Sequence, residues 1–365
     1  GCNVTRNPNL ILRLGTTALL LCAASPLSAE TSSWSARETS VPKSTPAPSA
    51  SPLPPPRAPS PAATQDSGAT GIKKAIPSLV PATGDNAAYL AFDQGQYLTA
   101  LKLAEEAAQR GEAQANTLIG RIYGEGLGVQ KDERKAYNYY MKAAQLGDVQ
   151  GSFAAALALA EGRGVKKDRK VAAELFEKAA LTGNAEANYN LGMLFLKGDG
   201  KPQSPIRAFQ HIRYAAEKGV PEAQYDLAEL YQTGTGTEAN ALEAARWLSR
   251  AAEQGLTPAQ YDYAVKLLQG FGLSKDESKI AVLMKAAADK GVPGAQNRMA
   301  YLYRDGIKVD KDPVEAATWR LIAKKNGFED KELDAMVAKL PKAQRQKAEA
   351  AASAWHDQIE VGSAP

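Results

Sequence analysis

Glycine returns every 36 residues in this chain. Gly111, Gly147, Gly183, Gly219, Gly255, Gly291 and Gly327 share one register across six intervals, with no slip. A fixed period of this size marks an array of repeated supersecondary units. Each unit contacts mainly its neighbours, and the stack presents an extended, curved surface. That is the geometry of a binding scaffold.

Each unit has an internal grammar. Fifteen residues after the anchor glycine stands a second one: Gly126, Gly162, Gly198, Gly234, Gly270 and Gly306. Two further on stand Gly128, Gly164, Gly200, Gly236 and Gly272, with Lys308 in the last unit. Six residues past the middle glycine come Asp132, Asp168, Ser204, Asn240, Asp276 and Asp312. All six are residue types whose side-chain oxygen caps a helix start. Pro205 and Pro313 follow two of them, where a missing N–H costs nothing. The helix opened by each cap is expected to end at the next anchor glycine, which tolerates the left-handed conformation. Within it, Ala136, Tyr139, Tyr140, Ala143 and Ala144 recur as Ala172, Leu175, Phe176, Ala179 and Ala180. Their spacing is the single apolar stripe of an amphipathic helix. The first helix of each unit carries small residues in two registers, Ala115, Ala187, Ala223, Ala259 and Ala295, then Gly120, Ala156, Gly192, Ala228, Ala264 and Ala300. Small side chains let helix backbones approach closely.

The pattern A-x3-L/I-G/A-x2-Y-x2-G-x-G-V, followed by D-x3-A-x2-W/Y-x3-A-A-x2-G, resembles the Sel1-like repeat. It reads clearly in AEANYNLGMLFLKGDG over 185–200 and in LEAARWLSRAAEQG over 242–255. Six full units fit, at 112–147, 148–183, 184–219, 220–255, 256–291 and 292–327. Gly151 departs from the first alanine, Ile280 from a second-helix alanine, and Lys308 from a turn glycine. The resemblance implies an all-α, right-handed solenoid of two-helix units, related to tetratricopeptide arrays. It also implies an adaptor or regulator that works through protein contacts.

Both flanks differ from the array. Residues 85–111 read as an incomplete leading unit, with a helix near Asn86–Phe92 that lacks the long glycine turn. Residues 328–356 read as capping helices, because an open solenoid end exposes core, and 357–365 as a disordered tail. Arg6 and Arg13 precede an uncharged apolar run, Leu14–Ala24, and Leu27-Ser28-Ala29 offers a small-residue cleavage site. Residues 1–29 therefore read as a secretory signal peptide, too short to span a membrane. This places the mature protein in the periplasm or outside the cell, with no integral membrane segment. Nine prolines between Pro42 and Pro61 make residues 30–84 a disordered, semi-rigid linker.

Chemistry is sparse. Both cysteines, Cys2 and Cys22, fall inside the signal segment, so the mature chain needs no disulfide. Removing residues 1–29 takes two arginines and no acid, lowering the formal charge from +4 to +2. That near balance gives no electrostatic case for nucleic acid as a partner. Two histidines, His211 and His356, make a His/Cys metal site untenable. His211 shares the register of Tyr139, Leu175, Trp247, Leu283 and Trp319, a packing position. Glycine turns such as Gly124-Glu-Gly126-Leu-Gly128 lack the strand and the lysine–serine ending of a phosphate loop. No catalytic residue, cofactor or metal site is expected. Disulfide-rich Sel1 proteins linked to β-lactams carry a cysteine pair per repeat, which this chain lacks.

The candidate binding residues lie on the first helices, which line the concave face in the tetratricopeptide analogy. They are Asn188, Tyr189 and Asn190, then Gln224, Tyr225 and Asp226, then Gln260, Tyr261 and Asp262. Tyrosine beside an amide or carboxylate suits a peptide ladder, and it equally suits packing between units. The leading functional expectation is an exported scaffold or regulator that binds a protein through this groove. Among such proteins it resembles the exported Sel1-repeat negative regulators of exopolysaccharide production, which restrain a membrane sensor kinase. A cell-wall-associated envelope-assembly factor is the alternative.

Overall fold

Residues 86–362 are described by a computed structural model. Every regular element among them is helical. The leading pair is α1 (Ala87–Asp93) and α2 (Tyr97–Gln109). Six first helices, hereafter A helices, follow: α3 (Ala113–Glu125), α5 (Val149–Glu161), α7 (Ala185–Lys197), α9 (Pro221–Thr233), α11 (Thr257–Leu268) and α13 (Pro293–Asp305). They alternate with B helices α4 (Glu133–Gln145), α6 (Arg169–Leu181), α8 (Pro205–Glu217), α10 (Ala241–Glu253), α12 (Ile280–Asp289) and α14 (Pro313–Lys325). Two closing helices complete the chain, α15 (Lys331–Lys339) and α16 (Lys342–Gly362). Each B helix packs on its own A helix and on the next one, so the structure is a solenoid of stacked helix pairs.

The anchor glycines end α2 and the B helices as the period implies. All seven are left-handed, with φ between 82 and 93°. The next N–H reaches back to an alanine carbonyl at every anchor, from Glu112 to Ala107 through Phe328 to Ala323. This is the Schellman closure, which satisfies an orphan carbonyl at each B-helix end. At the other end, Asp132, Asp168, Ser204, Asn240 and Asp312 cap their helices through side-chain oxygens. The N–H of each cap also closes the preceding turn, donating to Tyr123, Leu159, Phe195, Tyr231 and Tyr303 at 2.8–2.9 Å.

Unit five departs from this scheme. Asp276 does not cap a helix. Ser274–Lys279 is a 3-10 segment, and α12 starts at Ile280 with no side-chain cap. The cause lies on α11, where Tyr263 stands in the register of Leu191 and Leu227. Its buried hydroxyl needs an acceptor. Asp276 turns inward to supply one at 2.8 Å, and takes a second contact from the Ser249 hydroxyl at 3.4 Å. The closing bond to Leu267 is replaced by one from Asp276 N–H to the Leu273 carbonyl.

This shift accounts for Lys308. In units two to four, a Cβ on the second turn glycine would lie 2.1–2.3 Å from a backbone oxygen of the preceding B helix or its neighbour, Glu133, Arg169 or Pro205. Glycine is therefore required at 164, 200 and 236. In unit five the B helix begins three residues late, and Lys308 occupies the corresponding site at φ 59°.

The core runs along the seams between helices. Gly120 and Gly192 sit where a Cβ would strike Tyr140 or Ile212 at 2.5 and 2.7 Å. Gly151 lies against Ala143 in the same way, 2.3 Å from the place a Cβ would take. The close approach at Gly192 lets Ile212 bury fully, a gain of about 1.5–3 kcal/mol for an aliphatic side chain. At the leading end, Ala88, Ala91, Ala100 and Leu101 join Leu118, Ile119 and Ile122 in one cluster.

At the closing end the apolar register gives way. Arg320 occupies the position of Phe176, Ile212, Leu248 and Met284, and is 0% exposed. It donates to Asp334 Oδ1 at 2.8 Å, to Asn297 Oδ1 at 3.0 Å and to the Phe328 carbonyl at 2.8 Å. The closing helix α16 continues to Gly362, past the boundary expected at 356. Its alanine-rich sequence holds few residues that resist a helix. The signal peptide expected at 1–29 and the linker expected at 30–84 lie outside the described residues.

Candidate functional site

The A helices place the nine candidate residues in three successive tiers. Amides come first. Asn188 donates to the carbonyls of Asn184 and Ala180, and Gln224 donates to the carbonyl of Ala216. Their oxygens accept in turn from the following B helix, Asn188 from His211 and Gln224 from the Gln254 amide at 2.6 Å. Gln260 accepts from Lys290 at 3.2 Å. Each amide thus links its own A helix to a B helix, and Asn188 and Gln224 reach both flanking ones. Because Asn188 uses its nitrogen on carbonyls, its oxygen faces the imidazole, so His211 Nδ1 must be the donor. The His211 ring stacks on Phe195 at 5.7 Å, and burial pushes its pKa below the ordinary histidine value. His211 is a packing residue, as its register indicates.

The tyrosines form a ladder along the stack. Tyr189 Oη donates to Asp226 Oδ2 at 2.7 Å, and Tyr225 Oη donates to Asp262 Oδ2 at 2.5 Å. Each rung spans 37 residues, joining one A helix to the next. Hydrogen bonds to a charged acceptor contribute about 1.5–3 kcal/mol. The ladder changes at the next step, where Arg298 stands in the acid's register. Burial raises the pKa of Tyr261, and the Arg298 charge opposes that rise. In the last unit Asn297 and Tyr301 both donate to Asp330, each at 2.8 Å. Burial also pushes the Asp262 carboxyl up, against the Tyr225 hydrogen bond and the Lys266 charge.

Exposure separates the nine. Asn188, Tyr189, Asn190, Gln224, Tyr225, Asp226 and Gln260 are buried, and Tyr189 has no exposed surface at all. Tyr261 and Asp262 are half-buried and retain surface. Beside them on the A-helix face are exposed Glu229, Gln232 and Thr233, and half-buried Val265 and Lys266. Lys266 Nζ bridges the two units by donating to Gln232 Oε1 at 3.0 Å. Sequence reasoning placed the nine on one face and missed the rungs. Their signal was present, an acid 37 residues after a tyrosine, repeated twice and then interrupted by Arg298.

No group of three or more His, Cys, Asp or Glu side chains able to hold a metal ion occurs among the described residues. No helix among them is long and apolar enough to cross a membrane.

The Sel1 repeat family profile matches residues 113–148, 151–184, 185–220, 221–256, 257–292 and 293–328, more than half of the chain. The chain belongs to the Sel1 repeat family. A crystal structure of a Sel1 repeat protein from Oxalobacter formigenes is 28% identical, with a TM-score of 0.59. That match covers 65% of this chain and 98% of the other. A second is c5321, described as a protective antigen of uropathogenic Escherichia coli strains displaying an SLR fold. It is 28% identical with a TM-score of 0.50, over 72% of this chain. The chain spans 64% of the length of c5321. No curated protein matches the chain. Family and fold together make the described residues an all-α array of Sel1 repeats.

Proposed function

We propose that this protein is an exported scaffold that holds a segment of another protein against the concave row of A helices. The observation that carries the reading is the continuity of that row. Six A helices stack in one register, braced internally by the amides and the tyrosine rungs. Such bracing gives a preformed surface, and preformed surfaces lose less free energy on ordering when they bind. Within the row we assign direct contact to Tyr261 and Asp262, with Glu229, Gln232, Val265 and Lys266 around them. Asn188, Tyr189, Asn190, Gln224, Tyr225, Asp226 and Gln260 hold the row in shape.

Export rests on the basic, then apolar, then small-residue order of residues 1–29. The partner in this reading is the soluble domain of a membrane sensor kinase, which the scaffold restrains, as in exopolysaccharide regulation. A photo-crosslinking amino acid placed at Glu229, Gln232 or Lys266 in intact cells tests this. The A-face positions are expected to capture an envelope protein, and exposed B-helix positions Glu174 and Lys178 are not. Equal capture from both faces would remove the groove, and exclusively cytosolic neighbours would remove export. The second reading, a wall-associated envelope factor, is favoured by the proline-rich stretch before the array. Retention on purified peptidoglycan would distinguish it.

A further inference from the structure

A cleft of about 460 Å³ opens between α12, α14 and α16. It lies on B helices and the closing helix, away from the A-helix row. Its volume is ordinary for a small-ligand site. Two indoles form its apolar corner. Trp319 rises from α14 and Trp355 from α16, with ring centroids 6.4 Å apart and planes at 66°. Trp319 is buried and backs the corner edge-to-face, and the half-buried Trp355 supplies its open apolar surface.

The rim is polar and of mixed sign. Lys285 Nζ pairs with Asp289 Oδ2 at 2.7 Å and stands 5.9 Å from the Trp319 ring centre. Glu315 is exposed, and no described residue forms an ion pair with its carboxylate. Gln358 completes the lining with an amide that both donates and accepts.

These groups discriminate among guests. A cation would meet the Lys285 ammonium already placed over Trp319. An anion would meet Asp289 and Glu315. A wholly apolar guest would strip water from charged groups and return no hydrogen bond. A pyranose ring suits all of them. Its C–H face is apolar and packs on indole, while its hydroxyls serve carboxylate acceptors and ammonium or amide donors alike. From this geometry we propose that the cleft binds one sugar unit of a neutral glycan, with Trp355 as the platform and Glu315 and Gln358 as hydroxyl partners. The site is independent of the protein-binding row, and neither reading needs the other.

The test is a titration of the purified full chain with maltotriose, cellotriose and triacetylchitotriose, followed by the indole N–H signals in proton–nitrogen NMR. At least one trisaccharide is expected to shift the Trp355 signal saturably, with a Kd of about 1 mM, and to leave the Trp247 signal in place. Which of the three does so identifies the glycan class. Glu315→Gln and Gln358→Ala, both on the surface, are expected to weaken binding about threefold to tenfold. Trp355→Ala, followed at the Trp319 signal, is expected to abolish it. Trp355→Phe keeps an aromatic in the closing helix, and its binding should fall while its melting temperature holds. The proposal is overturned if none of the three gives a saturable shift. It is equally overturned if Trp355→Ala binds as the parent does, or if the cation agmatine occupies the cleft in preference to every sugar.

Discussion

Lys308 is the one non-glycine residue with positive φ among the described residues. Its backbone sits where an L side chain is disfavoured by about 1–2 kcal/mol. The exposed contact to Glu277 at 3.5 Å returns little of that. Lys308→Gly should therefore raise the stability of the array by about 1 kcal/mol. Gly236→Ala should do the reverse and cost at least about 2 kcal/mol, because its Cβ would also lie 2.1 Å from the Pro205 carbonyl oxygen. Urea denaturation of the two variants checks both signs. If the alanine variant matched the parent, the close approach between units would be refuted.

At the scale of the element, unit five is the weak point of the stack. Its turn lacks the cap-to-carbonyl bond that closes the other five, and its B helix is ten residues long where the others have thirteen. Phe271 on that turn is 71% exposed. Fewer backbone bonds and fewer buried contacts mean a lower free energy of local opening. Amide exchange should be faster over 269–280 than over the matching turn at 233–244, and mass spectrometry of peptic fragments measures it. Equal protection in the two turns would contradict the account. The same element shows where local reading stops. Asp276 has the type and spacing of a cap, yet a buried hydroxyl from the preceding helix claims its carboxylate. Only knowing that Tyr263 points inward reveals the competition.

For the whole molecule, the decisive feature is how an open stack ends. Arg320 and Asp334 replace apolar packing with an ion pair after the last matched repeat among the described residues. The Arg320 hydrogen bond holds the Asp334 carboxyl below its usual value. Burial would raise Asp330, but the Leu333 N–H, Asn297 and Tyr301 together hold it low. Both acids bind protons less readily folded than unfolded. Their stabilisation is thus complete above the unfolded value of 3.8 and is lost as pH falls through the lower folded values. Arg320→Met restores the apolar register but leaves the Phe328 carbonyl and Asn297 Oδ1 without this donor. It should cost about 1–3 kcal/mol at pH 7 and flatten the loss of stability below pH 3.8. Thermal melts from about pH 2 to about pH 7 read both effects. An unchanged acid limb would mean that the pair does not close the stack.

The sequence by itself determined the repeat, its period, the helix ends outside unit five and the closing helix, and the small-residue seams. Each is set by residues a few positions apart and then repeated, so every unit restates the same local physics. Tertiary structure alone decided which polar residues face a neighbour and which face solvent. Tyr189 and Tyr261 share a register, yet one is enclosed against Asp226 and the other keeps surface beside Arg298. The Trp319 and Trp355 cleft was hidden for the same reason, since its walls come from three helices whose approach depends on how the last unit is closed. Helix signals are local, whereas burial is a property of the partner that arrives from elsewhere in the chain.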